Sequence, residues 1–131
     1  GDGDGQLQEP VGIAIDANDN LYVADTWNMR IQVFGPQLQY LRQWQVWAWE
    51  GTSVVNKPYL AVDAKRNVYV TDPEGARIIQ FDGEGHLVRV WGQYGVDAAS
   101  LNLPTGIVVD ADGLLWVADS DNHRLVAFDT N

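Results

Sequence analysis

The chain has 131 residues, 46% of them hydrophobic, with 8 Lys and Arg against 18 Asp and Glu, 6 Trp and no Cys. That is the size of one ordinary domain with enough apolar side chain for a core; no apolar run reaches the roughly 18–20 residues of a membrane-crossing helix, and disulfides and thiolate zinc sites are excluded. A net charge of −10 speaks against nucleic acid and against acidic membrane surfaces as partners, because both are held by clustered Lys and Arg.

Residues 1–9 (Gly-Asp-Gly-Asp-Gly-Gln-Leu-Gln-Glu) have poor strand character and read as a glycine-rich linker. Asp2 and Asp4 alternate with Gly, yet no Glu follows at the spacing of a calcium loop. Residues 12–16 (Gly-Ile-Ala-Ile-Asp) are an apolar run closed by the polar turn Ala17-Asn18-Asp19-Asn20, and 21–25 (Leu-Tyr-Val-Ala-Asp) are a second. Residues 30–34 (Arg-Ile-Gln-Val-Phe) alternate as a half-buried strand does, and Gly35-Pro36 marks a hairpin into a fourth strand at 40–44. We label these strands a, b, c and d. The next unit repeats them at 60–63, 68–72, 77–81 and 87–91, and the third has 106–110, 115–119 and 124–128. No window shows sustained helical periodicity, with room for one helical turn between 96 and 101.

The units recur at a step of 47 residues. Asp16, Asp63 and Asp110 are so related, as are Tyr22, Tyr69 and Trp116; Asp25, Asp72 and Asp119; Arg30, Arg77 and Arg124; and Phe34, Phe81 and Phe128. Trp44 and Trp91 extend the register. Four short antiparallel strands per repeat are the pattern of β-propeller blades, so the expected fold is all-β, a half-propeller of three blades, the third without its outer strand. The expected blades span about residues 10–48, 57–95 and 103–131 of a single domain.

Pro10-Val-Gly-Ile-Ala-Ile-Asp, Asn20-Leu-Tyr-Val-Ala-Asp and Asn28-Met-Arg-Ile-Gln-Val-Phe resemble the NHL repeat, and Pro104-Thr-Gly-Ile-Val-Val-Asp with Asp119-Ser-Asp-Asn-His-Arg-Leu resemble it more closely. Unit two departs: Pro58-Tyr-Leu-Ala-Val-Asp is one residue short, and Pro73-Glu-Gly-Ala replaces the polar turn. The resemblance implies a ring that is usually six-bladed, about twice this chain. Two copies of the chain then make one ring of two-fold symmetry; the alternative is a piece of a longer propeller.

Chain direction puts the a–b and c–d hairpins on one face and the b–c turns and d–a linkers on the other. The second face gathers Trp27 and His123 from b–c turns and Trp47, Trp49 and Tyr94 from linkers. Aromatic rings beside acids and amides suit a protein, peptide or glycan ligand. The competing reading is that Trp47 and Trp49 plug the junction between blades. The Asp–Arg pairs bracket the same tight turn in every unit and read as architecture, and Asp16, Asp63 and Asp110 read as acceptors of turn N–H groups.

Catalysis is not expected. His86 sits in a c–d hairpin and His123 in a b–c turn, on opposite faces, so they do not share a zinc ion. Ser53, Ser100 and Ser120 lack a nucleophile setting, and no phosphate or dinucleotide loop occurs. No cofactor is expected. The reading is a non-catalytic, self-associating binding module. One alternative, from the resemblance to propeller enzymes, is a metal-assisted lyase or lactonase; the other is a purely structural fragment of a larger protein.

Overall fold

A computed structural model describes residues 1–52 and 55–131, so Ser53 lies outside the described residues. Among the described residues, eleven strands form three antiparallel sheets. The first runs β1 (Pro10–Ile15), β2 (Leu21–Asp25), β3 (Arg30–Phe34), β4 (Tyr40–Gln45), each paired with the next in sequence. The second repeats this with β5 (Leu60–Val62), β6 (Val68–Asp72), β7 (Arg77–Phe81) and β8 (Leu87–Trp91). The third has β9 (Pro104–Val109), β10 (Leu114–Asp119) and β11 (Arg124–Asp129). These are three blades, with strand a innermost: β1 lies against β5, and β5 and β6 lie against β9.

The a–b hairpin is fixed by one carboxylate. Asp16 Oδ1 accepts the backbone N–H of Asn18 and Asn20, while its Oδ2 accepts Asn20 Nδ2 and the Tyr22 hydroxyl at 3.0 Å. Asp63 repeats the set with Lys65, Asn67 and Tyr69. Asp110 does so with Asp112 and Leu114, and Trp116 Nε1 replaces the hydroxyl at 2.9 Å. This is why the Asp and the aromatic ring six residues on recur together.

Period-two alternation gives each inner strand two apolar faces, one toward the preceding blade and one toward the next. The face of blade one toward blade two (Tyr22, Ala24, Ile31, Val33) packs on Leu60, Val68, Val70, Ile79 and Phe81 of blade two. One repeat later Tyr69 and Ile78 pack with Leu115 and Val117 of blade three, flanked by Ile107, Val126 and Phe128. Outer-strand tryptophans seal both junctions: Trp44 meets Phe81 and Trp91 meets Phe128, with ring centroids 5.8 and 5.9 Å apart.

One local expectation differs from the structure. Residues 96–101 hold no helical turn: they form bends and a turn, closed by a bridge between Tyr94 and Leu101. Short 3₁₀ turns form instead at Thr26–Asn28, Trp47–Trp49 and Ser120–Asn122. The first and last are b–c turns, each ended by a residue in the left-handed region, Met29 at φ 53° and His123 at φ 55°.

Candidate functional site

The b–c turns are built on the Asp–Arg pairs. Asp25 Oδ2 accepts Arg30 Nε at 2.8 Å, Asp72 Oδ2 accepts Arg77 Nε at 2.7 Å, and Asp119 Oδ2 accepts Arg124 Nε at 2.7 Å. In blades one and three the pair does more than bracket the turn. Arg30 donates onward to the carbonyls of Asp2, Gly3 and Gln6, and Arg124 to those of Val96, Asp97 and Ser100. Asn28 and Asn122 bridge the same Asp to the carbonyls of Gly1 and Gly95. The second oxygen of each Asp accepts the backbone N–H of Gln8 or Asn102, at 2.7 and 2.6 Å.

Every corresponding pair of these linker residues lies two repeats apart. Residues 1–8 are therefore the linker of blade one, held as 95–102 are held in blade three. Burial pushes the Asp119 carboxyl up, but the Asn102 N–H, Asn122 and Arg124 outweigh it and hold the group below the usual carboxylate range. Asp16 behaves alike: burial raises it, and its bonds from Asn20, Asn18 and Tyr22 lower it further. Asp4 accepts Gln43 Nε2 at 3.0 Å, and among the described residues no three His, Cys, Asp or Glu are grouped to hold a metal.

The five aromatic and imidazole candidates take different places. Trp27 is exposed on its turn and borders a cavity of about 210 Å³ shared with Glu9, Met29, Trp49, Thr52 and Lys57. Trp49 meets that cavity only from its floor: the ring is buried in the junction of blades one and two, and Nε1 donates to the Thr71 carbonyl at 3.1 Å. Trp47 is exposed over a separate outer groove with Arg77, Phe81, Leu87 and Val90. Tyr94, exposed as well, is the residue one repeat after Trp47. His123 is exposed at the left-handed end of its turn, where Met29 and Ala76 stand in the other blades. The described lining of the first cavity includes none of Trp47, Tyr94 and His123.

Sequence reading misses the polar rim of that cavity, where Lys57 Nζ meets Glu9 Oε2 at 2.8 Å across two blades. A signal is present: each residue directly precedes a Pro, Pro10 at the start of β1 or Pro58 two residues before β5.

The NHL repeat family model matches residues 7–34 and 101–128, the linker end and strands a to c of blades one and three. The chain carries NHL repeats. Blade two, which lies between the two matched spans, is the unit with the displaced Pro58 and the altered turn. No curated protein matches the sequence. Among solved structures, a streptogramin B lyase is 14% identical with a TM-score of 0.64, covering 93% of this chain and 41% of the lyase. Virginiamycin B lyase from Staphylococcus aureus is 15% identical with a TM-score of 0.60, over 92% of this chain and 41% of that one. A gluconolactonase from Xanthomonas campestris is 23% identical with a TM-score of 0.59, over 86% and 35%. These likenesses show the fold, consecutive blades of a β-propeller, and this chain spans about four-tenths of the length of the lyases it matches.

Proposed function

We propose that this chain is a non-catalytic binding module that works as half of a six-bladed ring, two copies closing it, with a protein, peptide or glycan ligand on the face of b–c turns and linkers. The observation that carries this reading is a contrast in exposure at equivalent positions. Tyr22 and Tyr69 are fully buried while Trp116 is 38% exposed, and Ile31 and Ile78 are fully buried while Leu125 is 70% exposed. Blade three thus presents to solvent the side chains that the other blades use for packing, a surface that folded monomers rarely leave open. On the ligand face, Trp27 over a cavity edged by the Glu9–Lys57 pair supports recognition of a group with both an apolar and a charged part.

Light scattering over a concentration series tests the reading. The expected mass is about twice 14.5 kDa; a monomer at every concentration overturns it. The solved neighbours named as lyases and as a gluconolactonase favour a second reading, a metal-assisted lyase or lactonase whose acidic ligands assemble across the subunit boundary. Metal analysis of the purified chain separates the two, since a tightly held stoichiometric ion supports the enzyme and its absence after metal loading supports the binding module.

A further inference from the structure

The two junctions inside the chain are copies of one another, and their residues can be carried forward by one more repeat. On blade three the carried face is Val108, Trp116, Ala118 and Leu125, which borders an open apolar groove. The face that would receive it is the one blade one turns away from blade two. There Ile13 is 65% exposed, whereas its equivalent Leu60 is buried in the first junction. Leu7 is likewise partly exposed, while Leu101, two repeats on, is fully buried in the second. One chain therefore carries the inner parts of both halves of a third junction, on separate blades, without the outer-strand Trp that seals the two internal ones.

We infer that blade three of one copy docks on blade one of a second copy in the register of the two internal junctions, and that the second copy returns the same contact. This rests on the half-ring reading above and names its mating surfaces. Glycine geometry fixes the register. A Cβ built on Gly12 meets Leu60 N and Tyr59 Cα of blade two at 3.1 Å, so these inner strands touch through backbone. At the equivalent Gly106 the same Cβ meets only Ala118 Cβ, at 3.8 Å. The backbone that Gly106 lacks is, one repeat back from Tyr59 and Leu60, that of Gly12 and Ile13 in the second copy.

Charge distinguishes this junction from the internal ones. At the first junction the blade-two hairpin places Arg66, paired with Glu84 of its own blade at 2.9 Å, beside Tyr22, whose hydroxyl accepts Arg42 of blade one. The equivalent of Arg66 is Asp19, which holds the same left-handed backbone (φ 64° against 67°). Docking sets Asp19 of the second copy toward Trp116 and Asp110, acid against acid. Association is therefore weakened by repulsion that salt screens, with a screening length of about 10 Å at 0.1 M and about 3 Å at 1 M.

Sedimentation of the 131-residue chain at two salt concentrations tests this. A dimer that tightens with salt is expected. Asp19→Arg is expected to tighten it several-fold at low salt and to flatten its salt dependence, because it restores the charge found at the first junction. Ile13→Glu and Gly106→Glu each place a carboxylate in the docked surface and are expected to weaken association by about tenfold or more. Both positions are open in the single chain, and an unchanged circular dichroism spectrum checks that the fold persists. Mixing the two weakened variants is expected to recover a two-chain species, since one unaltered blade three then meets one unaltered blade one. A dimer indifferent to Ile13→Glu and Asp19→Arg overturns the assignment of faces and leaves self-association standing. A wild-type chain that stays monomeric up to about 1 mM overturns both.

Discussion

Arg30 ties together three parts of the chain that are far apart in sequence: its own turn through Asp25, the incoming linker through three carbonyls, and the outer strand through Gln43. Its side chain is 5% exposed and that of Asp25 is fully buried. Arg30→Ala leaves a buried carboxylate without its cation, which costs about 3–5 kcal/mol, a large share of the 5–15 kcal/mol typical of a domain. The Arg77 side chain is 42% exposed although Asp72 is nearly as buried as Asp25, so solvent reaches the pair from the Arg side and Arg77→Ala is expected to cost less than Arg30→Ala. Urea midpoints of the two variants check the ordering. The depressed carboxyls of Asp16 and Asp119 add a pH dependence. A group whose folded pKa lies below its unfolded value contributes stability that is complete above the unfolded value and lost as pH falls through the folded one. The urea midpoint is thus expected to hold steady from about pH 7 to 5 and to fall below about pH 4, and Asp119→Asn to be less stable at pH 7 with a shallower acid decline.

At the level of strands and linkers, two tryptophans two residues apart behave oppositely. The 3₁₀ turn Trp47–Trp49 sends Trp49 into the blade junction and leaves Trp47 outside. Trp49→Ala removes a filled core volume and the bond to Thr71, at a cost of about 3–5 kcal/mol, whereas Trp47→Ala is expected to stay within about 0.5 kcal/mol. Thermal melts separate them. Gly12→Ala asks the backbone of β5 to give way by a few tenths of an ångström and is expected to destabilise by about 1–3 kcal/mol. The strands themselves were legible from alternation and from Asp at the ends of runs, because those signals arise within a few residues. The 47-residue step made the Asp–Arg turns legible as architecture. Which of Trp47 and Trp49 turns inward was not, since both readings fit one composition. The role of residues 1–8 was also hidden: Arg30 grips them by backbone carbonyls, which carry no side-chain signature, so Gly-Asp-Gly-Asp looked only like a loose linker. The cavity rim needed Glu9 and Lys57 brought together from different blades, a contact that only tertiary packing creates.

For the whole molecule, the proposed contact of blade three on blade one would join two unlike surfaces, and such a contact does not limit itself to two copies. It closes into a ring when the rotation carried by one chain divides a full turn, and otherwise it propagates as an open chain. Three blades of a six-bladed ring turn by half a circle, so two copies satisfy both contacts at once and leave no free face. If the rotation per blade differs, each added copy leaves one face open at either end and the distribution of masses broadens with concentration. The expected result is a discrete two-chain species whose mass stays level as concentration rises further. Closure by a second copy would also make folding and association one equilibrium, because that copy would recognise blades only when folded. The melting temperature is therefore expected to rise with protein concentration, as it does for any partner that binds the native state alone. Ile13→Glu should flatten that rise while leaving the dilute melting temperature nearly unchanged, because Ile13 is already largely exposed in the single chain. A melting temperature independent of concentration in the wild-type chain would show that the apolar faces of blades one and three stay open in solution.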